Sequence, residues 1–478
     1  MTAVPAEMGP SSTALYPESY PPHGASGSAT TPDHNSNTQP VMRQQASPRI
    51  QPQPQHRKTT RDGGYGLSEA LSSPDVPTVT GHSAPEARLG TPSSRPDDPQ
   101  GAGPPGQSKP RPLTELYTVS YLVFFAILGT LARLGLQALT SYPGTPTIFS
   151  SLWPNFAGCL IMGFLAEDSK LFLHEHGVPR SSPSPTDKAH TSSDATTAND
   201  AAAKKAHLAV KKTIPLYIGL ATGFCGSFTS FSSFMRDVFL ALSNDLIVSG
   251  SQQPQRTRNG GYSFMALLAV LIVTIALSLS ALFAGAHLAV AVEPYTPSIP
   301  FRAMSKVFDR AVVPLAFGCW IGAALLSAVP PDRNDTPPPL ERWRGTATFA
   351  LVFAPLGCLL RFYVSAWLNK PSRGAARFPW GTFAVNILGT TVLGMAWDLQ
   401  YVPLGGVLGC QVLQGVEDGF CGCLTTVSTW AAELASLRRR RDAYVYGGAS
   451  VGAGLAVLVV VMGGLRWTDG FAEIQCLH

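Results

Sequence analysis

The sequence predicts an all-α membrane protein with nine transmembrane helices, arranged as two four-helix repeats in inverted (antiparallel) orientation and joined by a linker helix. Three observations predict it. Apolar segments of bilayer length follow one another from residue 115 onward. Short polar motifs in the first set of segments recur, in the same order, in the second. One additional apolar segment, without a counterpart, lies between the two sets. Roughly 20 apolar residues rising 1.5 Å each cover about 30 Å of hydrocarbon, so each segment suits a membrane-crossing helix.

Residues 1–111 are dominated by Pro, Ser, Gly, Gln and Thr. Such a segment cannot bury enough apolar surface to offset its ordering entropy, and it reads as a disordered cytoplasmic tail. It contains no basic stretch followed by an apolar one, so it is not a secretory signal. The first repeat occupies 115–292, with spans at 117–140, 148–166, 213–243 and 262–292 and a polar insertion over 167–212. The linker, 293–345, contains a single span at 311–329 and then "PPDRNDTPPPLERWRG", whose prolines forbid a continuous helix. The second repeat follows over 346–466, with spans at 346–368, 379–399, 404–436 and 444–466, leaving 467–478 as a tail.

The formal net charge of +5 is small; where it sits matters more. With the N-terminus inside, the cytoplasmic loops receive Lys204, Lys205, Lys211 and Lys212, then Arg302, Lys306 and Arg310. They also receive Lys370, Arg373 and Arg377, and finally the run Arg438 to Arg441. The turns after the first and seventh spans, on the other side, contain no Lys or Arg. This positive-inside pattern places the N-terminus in the cytoplasm and the C-terminus outside, in a multi-pass protein of the plasma membrane. The eight cysteines show neither an extracellular framework nor zinc-ligand spacing, so neither a disulfide nor a metal-thiolate role is expected.

The repeats are specific. "GTLAR" (Gly129, Arg133) returns as "GCLLR" (Gly357, Arg361), and "NFAGCLIMG" (Asn155, Gly158, Gly163) as "NILGTTVLG" (Asn386, Gly389, Gly394). "GFCGSFTSFSSF" (223–234) returns as "GFCGCLTTVSTW" (419–430), with an acid at the same offset beyond it, Asp237 and Glu433. Four helices return a chain to its starting side. The unpaired fifth span therefore inverts the second repeat about an axis in the membrane plane.

The doubled motif is a poor lipid-facing helix, because its glycines weaken the helix and its hydroxyls compete for the backbone. Such irregularity in a membrane belongs where protein buries it or where it lines a water-filled cavity. Close packing through small residues is the alternative. Asn155 and Asn386 must face the bundle interior, either bonding a neighbouring helix or donating to a passing anion. Arg133 and Arg361 are charges well inside spans, and both pore-mouth and structural roles suit them.

In order and spacing these motifs resemble the fluoride channel family (CrcB/Fluc), and in particular its fused two-domain fungal exporters. The likeness covers roughly 115–292 and 345–466 and excludes the tail, the insertion and the fifth span. It implies that the third helices of the two halves are broken and cross at the centre. It further implies a structural sodium ion held there by backbone carbonyls of Gly226, Thr229, Gly422 and Thr425. The implied anion pathway presents ring edges of Phe231 and Phe234 to the ion, with Ser232 and Ser428 beside them and Asn155 and Asn386 at hand. Tyr446 and Ser450 match the family's polar track. Here the second copy departs, holding Val427 and Trp430 where the family has Phe. One pore would pair Phe231 with Trp430 and the other Phe234 with Val427, so the expectation is one conducting and one vestigial pore.

The resemblance implies passive, fluoride-selective export from the cytoplasm that confers fluoride resistance. The fused halves would act as a monomer in the lipid bilayer, with no nucleic-acid partner. A proton-coupled anion transporter is the alternative. It would need titratable groups such as Glu417, Asp418, Glu433 or Asp237, and the Glu417–Asp418 pair is replaced in the first half by Ala221 and Thr222. An enzyme is not expected: no nucleophile–base set, HExxH or phosphate-binding loop is present, and His287 stands alone in the fourth span.

Overall fold

Helices account for nearly all the regular structure among the described residues. The computed structural model describes residues 111–147, 149–172, 210–246, 259–300, 307–329, 347–369, 377–402 and 406–471. The expected tail up to residue 110, most of the 167–212 insertion, the 330–345 loop and the last seven residues lie outside them.

The chain opens with α1 (Arg111–Thr140) and α2 (Leu152–Glu167). The next stretch is interrupted. It runs as α3 (Pro215–Ile218), a π-helical segment Gly219–Cys225, α4 (Gly226–Phe228), two extended residues, and α5 (Phe231–Ser243). Then come α6 (Gly260–Ala291) and α7 (Asp309–Ala328). The second set begins with α8 (Phe349–Leu368) and α9 (Trp380–Leu399). It is interrupted in the same way, as α10 (Gly406–Gly415), a π-helical segment Val416–Cys421, α11 (Gly422–Leu424), two extended residues and α12 (Val427–Ser436). The last helix is α13 (Arg440–Thr468).

Six of these, α1, α6, α7, α8, α9 and α13, are long and apolar enough to cross a membrane; α2 is apolar but shorter, at 16 residues. The chain is a helical membrane protein. The third and eighth expected spans are present as broken elements rather than as single helices.

Local chemistry explains the boundaries. Asn259 caps α6 by accepting from the Gly261 amide at 2.9 Å, and Asn244 ends α5 in the left-handed conformation (φ 67°) that Asn tolerates. Ser230 and Thr426 cap α5 and α12, each accepting from the amide three residues on. Glycines set the closest helix crossings. A β-carbon on Gly163 would run into the Leu282 carbonyl of α6, and one on Gly285 into the Leu160 carbonyl of α2.

Within each set, the first helix packs on its own π-helical segment, α1 on 219–225 and α8 on 416–421, and α1 also packs on α8. After the breaks the halves exchange partners. α5 packs on α9 and α13 of the second half as well as on α6, and α12 packs on α2 and α6 of the first half as well as on α13. The largest buried cluster therefore mixes both halves, with Phe231, Phe234 and Met235 beside Val427, Trp430 and Tyr446. α7 lies to one side, packing chiefly on α1 and α8, with Trp320 Nε1 donating to the Val352 carbonyl at 2.8 Å.

One sequence expectation needs correction and another gains detail. Lys211, counted among the inside-loop charges, is buried. Its ammonium donates to the Asp168 carbonyl and sits 5.2 Å from the centre of the Tyr217 ring. Asp168 lies 43 residues earlier in the chain, beyond the reach of any local pattern. Cys410 is disulfide-bonded, although no cysteine spacing signalled it, whereas Cys159, Cys225, Cys319, Cys358, Cys421 and Cys423 are free.

The α2–α6 crossing leaves no room for a side chain. Gly163→Ala is expected to cost about 1–3 kcal/mol, read as a lowered unfolding temperature of the detergent-solubilised protein. Gly452→Ala on α13, where a β-carbon meets nothing within 4 Å, should stay within about 0.5 kcal/mol of the parent.

Candidate functional site

The site is built where the two broken helices meet. At each break the backbone turns extended: Thr229 (φ −96°, ψ 148°) and Ser230 (−139°, 120°) in one half, Thr425 (−95°, 155°) and Thr426 (−152°, 132°) in the other. A hydroxyl residue stands at all four positions and can replace helical hydrogen bonds with side-chain ones.

The first replacement comes from the asparagines. In a continuous helix the Ser230 amide would bond the Gly226 carbonyl. Instead it donates to Asn155 Oδ1 at 2.9 Å, while Asn155 Nδ2 donates to the Ser230 carbonyl at 3.5 Å. Asn386 holds Thr426 in the same way, at 2.9 and 3.3 Å. The functional amides of the sequence reading are thus the clamps that hold the breaks open, each with one amide N–H to spare.

The second replacement crosses between the halves. Thr229 Oγ1 accepts from the Ser428 and Val427 amides at 3.1 and 3.2 Å, and Thr425 Oγ1 accepts from the Ser232 amide at 3.0 Å. Ser428 Oγ donates to the Cys225 carbonyl at 3.1 Å and Ser232 Oγ to the Cys421 carbonyl at 3.4 Å. Each half supplies the missing first-turn partner of the other half's helix.

Several carbonyls lose their usual helical donors through this rearrangement, four of them at the break glycines and threonines. The Gly226 and Gly422 carbonyls lose the amides taken by the asparagines. Those of Thr229 and Thr425 lose the Ser233 and Thr429 amides, which turn to Ser230 Oγ and Thr426 Oγ1. They are the four positions expected to hold a sodium ion. Hard carbonyl oxygens relieved of hydrogen bonds are suitable ligands for such an ion.

Arg133 and Arg361 are both almost fully buried and reach no interface. Arg133 Nη2 donates to the Asp418 carbonyl and Arg361 Nη2 to the Thr222 carbonyl at 2.8 Å, each in the opposite half. Their guanidinium groups fill the space over Gly422 and Gly226, where no β-carbon fits. In both, Nε and Nη1 find no partner among the described residues.

Beyond the breaks lie the aromatic rings. Phe231 stands between Trp430 (5.5 Å, 66°) and Phe234 (5.9 Å, 85°), in edge-type contacts. The two phenylalanines expected to serve separate pores therefore touch. Gly454 of α13 backs this cluster, leaving only 3.3 Å between a notional β-carbon and the Phe231 ring. Further along α13, Tyr446 Oη donates to Glu433 Oε2 at 2.7 Å, and Ser450 Oγ to the Tyr446 carbonyl at 2.8 Å. Thr382 Oγ1 donates to the other Glu433 oxygen at 2.7 Å.

The family model for CrcB-like protein, Camphor Resistance (CrcB), matches residues 120–286 and 348–464. The chain belongs to this family. Both breaks, both asparagines and both arginines lie in the matched stretches, and α7 lies outside them. The chain is 59% identical to fluoride export protein 1 of Neurospora crassa over 450 residues, covering 92% of this chain and 83% of that one. To fluoride export protein 1 of Candida albicans it is 32% identical, covering 73% and 80% of the two chains. A fluoride-specific ion channel, FluC 1 of Symbiobacterium thermophilum, is 42% identical over 102 residues, 80% of its own length but 21% of this chain. No solved structure matches the chain.

Within this family frame, sequence reasoning missed two sets of residues. One is the seat of the conserved-offset acids. Ser151 donates its amide to Asp237 Oδ2 at 3.1 Å as Thr382 donates its hydroxyl to Glu433, and both donors stand four residues before the repeat asparagine. That common spacing was the available signal. The other set has no repeat counterpart. Arg236 Nη1 donates to Glu417 Oε2 at 3.4 Å and lies over the Trp397 ring at 5.5 Å, and Gln400 donates to the other Glu417 oxygen. The position matching Glu417 in the first half is Ala221 and that matching Arg236 in the second is Ala432, so comparing the repeats could not reveal the pair.

The crossed caps yield a direct test. Thr229→Val leaves two buried amides facing a methyl group, and Thr425→Val leaves one. Each substitution should lower stability by about 1–3 kcal/mol in denaturant unfolding of the solubilised protein. Thr391→Val, whose hydroxyl bonds only its own helix, should change stability by less than about 0.5 kcal/mol.

Proposed function

We propose that the chain is a passive, fluoride-selective channel that exports the ion from the cytoplasm. The observation that supports this best is the pair of broken helices, clamped by Asn155 and Asn386 and crossing beside Phe231 and Trp430, in a family whose relatives are named fluoride export proteins and fluoride-specific ion channels. A buried route past ring edges suits a small anion, because the edge is the positive part of the ring quadrupole. An inside-negative potential moves an anion outward with about 2.3 kcal/mol per charge per 100 mV, so no coupling machinery is required. The proton-coupled alternative loses its best candidate, since Glu417 is engaged by Arg236 and Gln400.

In this reading the two halves lie antiparallel in the plasma membrane. The chain crosses nine times, α7 being the inverting crossing, with the N-terminus inside and the C-terminus outside. The disulfide at Cys410 favours that orientation, because the first turns of the eighth span then lie at the face of an oxidising compartment. Fusion of the halves makes a monomer sufficient. A sodium ion held by the Gly226, Thr229, Gly422 and Thr425 carbonyls would tie the two breaks together by its charge.

The pores are unequal. On the Phe231 side, Trp430, Tyr446 and Ser450 continue the polar route. On the Phe234 side the partner is Val427, and α6 offers Thr274 and Ser278 with no tyrosine to match Tyr446. In liposomes, with efflux read by a fluoride electrode, Phe231→Ala should reduce fluoride flux by at least about tenfold, while Phe234→Ala retains most of it. Equal losses would refute the single-pore reading, and no fluoride efflux from the parent protein would refute the channel itself. Replacing sodium by N-methylglucamine on both sides should lower both the flux and the unfolding temperature, and restoring sodium should return both.

A further inference from the structure

The hydrogen-bond donors along the Phe231 side of the bundle can be accounted for one by one. Tyr446 has a single hydroxyl proton, and it goes to Glu433 Oε2. The Ser450 proton goes to the Tyr446 carbonyl and the Thr382 proton to Glu433 Oε1. Those of Ser428 and Ser232 go to the Cys225 and Cys421 carbonyls. Apart from the spare N–H of each repeat asparagine, a further side-chain donor here is unspent: Trp430 Nε1–H finds no partner among the described residues, although the side chain is only 1% exposed.

A buried donor without an acceptor destabilises a protein, and indole N–H has no lone pair with which to bond otherwise. Its position is specific. Trp430 makes an edge-type contact with Phe231 at 5.5 Å. Its atom nearest Gly447 of α13 is Cζ2, two bonds from Nε1, at 3.9 Å from a notional β-carbon there. The benzo edge of the indole therefore lies against α13, the helix of Tyr446 and Ser450, with the nitrogen two bonds further round the ring. The matching residue of the first half is Phe234, which has no such donor.

We infer that Trp430 Nε1–H is a hydrogen-bond donor to the permeating anion, placed between the ring edges and the Tyr446–Ser450 track. The inference rests on the anion-channel reading above. Fluoride is a small, strongly hydrated halide, and entering a dry pathway strips its shell. A ring edge offers only a weak electrostatic substitute. A neutral N–H bonded to an anion forms a charge-assisted hydrogen bond, roughly twice as strong as a neutral one. Being uncharged, it also releases the ion more readily than a lysine would. The loss of the family's phenylalanine at this position thus adds a donor rather than merely removing a ring edge.

The test uses the full chain in detergent or nanodiscs, with tryptophan indoles labelled by ¹⁵N. The Trp430 indole resonance is identified by its loss in Trp430→Phe. It should move downfield as sodium fluoride is titrated in and stay in place with sodium gluconate. In liposomes Trp430→Phe, which keeps a ring edge but deletes the donor, should reduce fluoride flux about tenfold. A resonance insensitive to fluoride overturns the inference, as does wild-type flux in Trp430→Phe. If the parent protein passes no fluoride at all, the underlying channel reading fails instead, so the two failures are distinct.

Discussion

The structure depends on one exchange: each half completes the other's broken helix. Thr229 accepts the amides at the start of α12, and Thr425 accepts the Ser232 amide in the first turn of α5. Helix termini buried in an apolar bundle cannot turn to water for these bonds, so the partner must come from protein. The asparagine clamps, the crossing of α5 and α12 into the opposite halves and the buried arginines follow from that need. The arginines reinforce it, since each guanidinium occupies the space over a glycine of the opposite break and bonds a carbonyl of the opposite half.

Much of this was legible in the amino-acid sequence. The apolar runs located the long helices, and the doubled GFCG motif located both breaks to within a few residues. The asparagines were recognised as facing the bundle interior because polar groups in hydrocarbon need partners, while for the arginines pore-mouth and structural roles both stood open. Their partners were not legible, because periodicity describes one helix at a time and these bonds join helices far apart in sequence. The Arg236–Glu417 pair escaped for a further reason: it occurs in one half only, and the repeat comparison was sensitive to what the halves share. Lys211 shows the limit of charge counting. A lysine assigned to an inside loop is instead folded over Tyr217, where its charge has local partners.

The two halves differ in function-bearing residues more than in backbone. The extended dihedrals at the two breaks agree within about 15°, a spread typical of a single conformational class. By contrast, Val427 and Trp430 stand at the positions that match Phe231 and Phe234, and α6 offers Thr274 and Ser278 without a match for Tyr446 of α13. The scaffold requires both copies, because neither break is capped without the other. On the single-pore proposal the pathway needs only one set of side chains, which leaves the second free to change. Conservation of geometry and divergence of chemistry thus have one cause.

Reciprocal capping also bears on how the chain is made. The first half leaves the ribosome before α12 exists, and about 195 residues separate Ser232 from Val427. At the usual ~5–20 residues per second, α5 waits on the order of 10–40 s in the bilayer for the helix it is to pair with. Throughout that interval Thr229 has no α12 amides to accept and the amide of Ser232 has no Thr425 to receive it. The nascent first half is therefore an unfinished surface during biogenesis, and the covalent tether through α7 confines its search for a partner to its own chain.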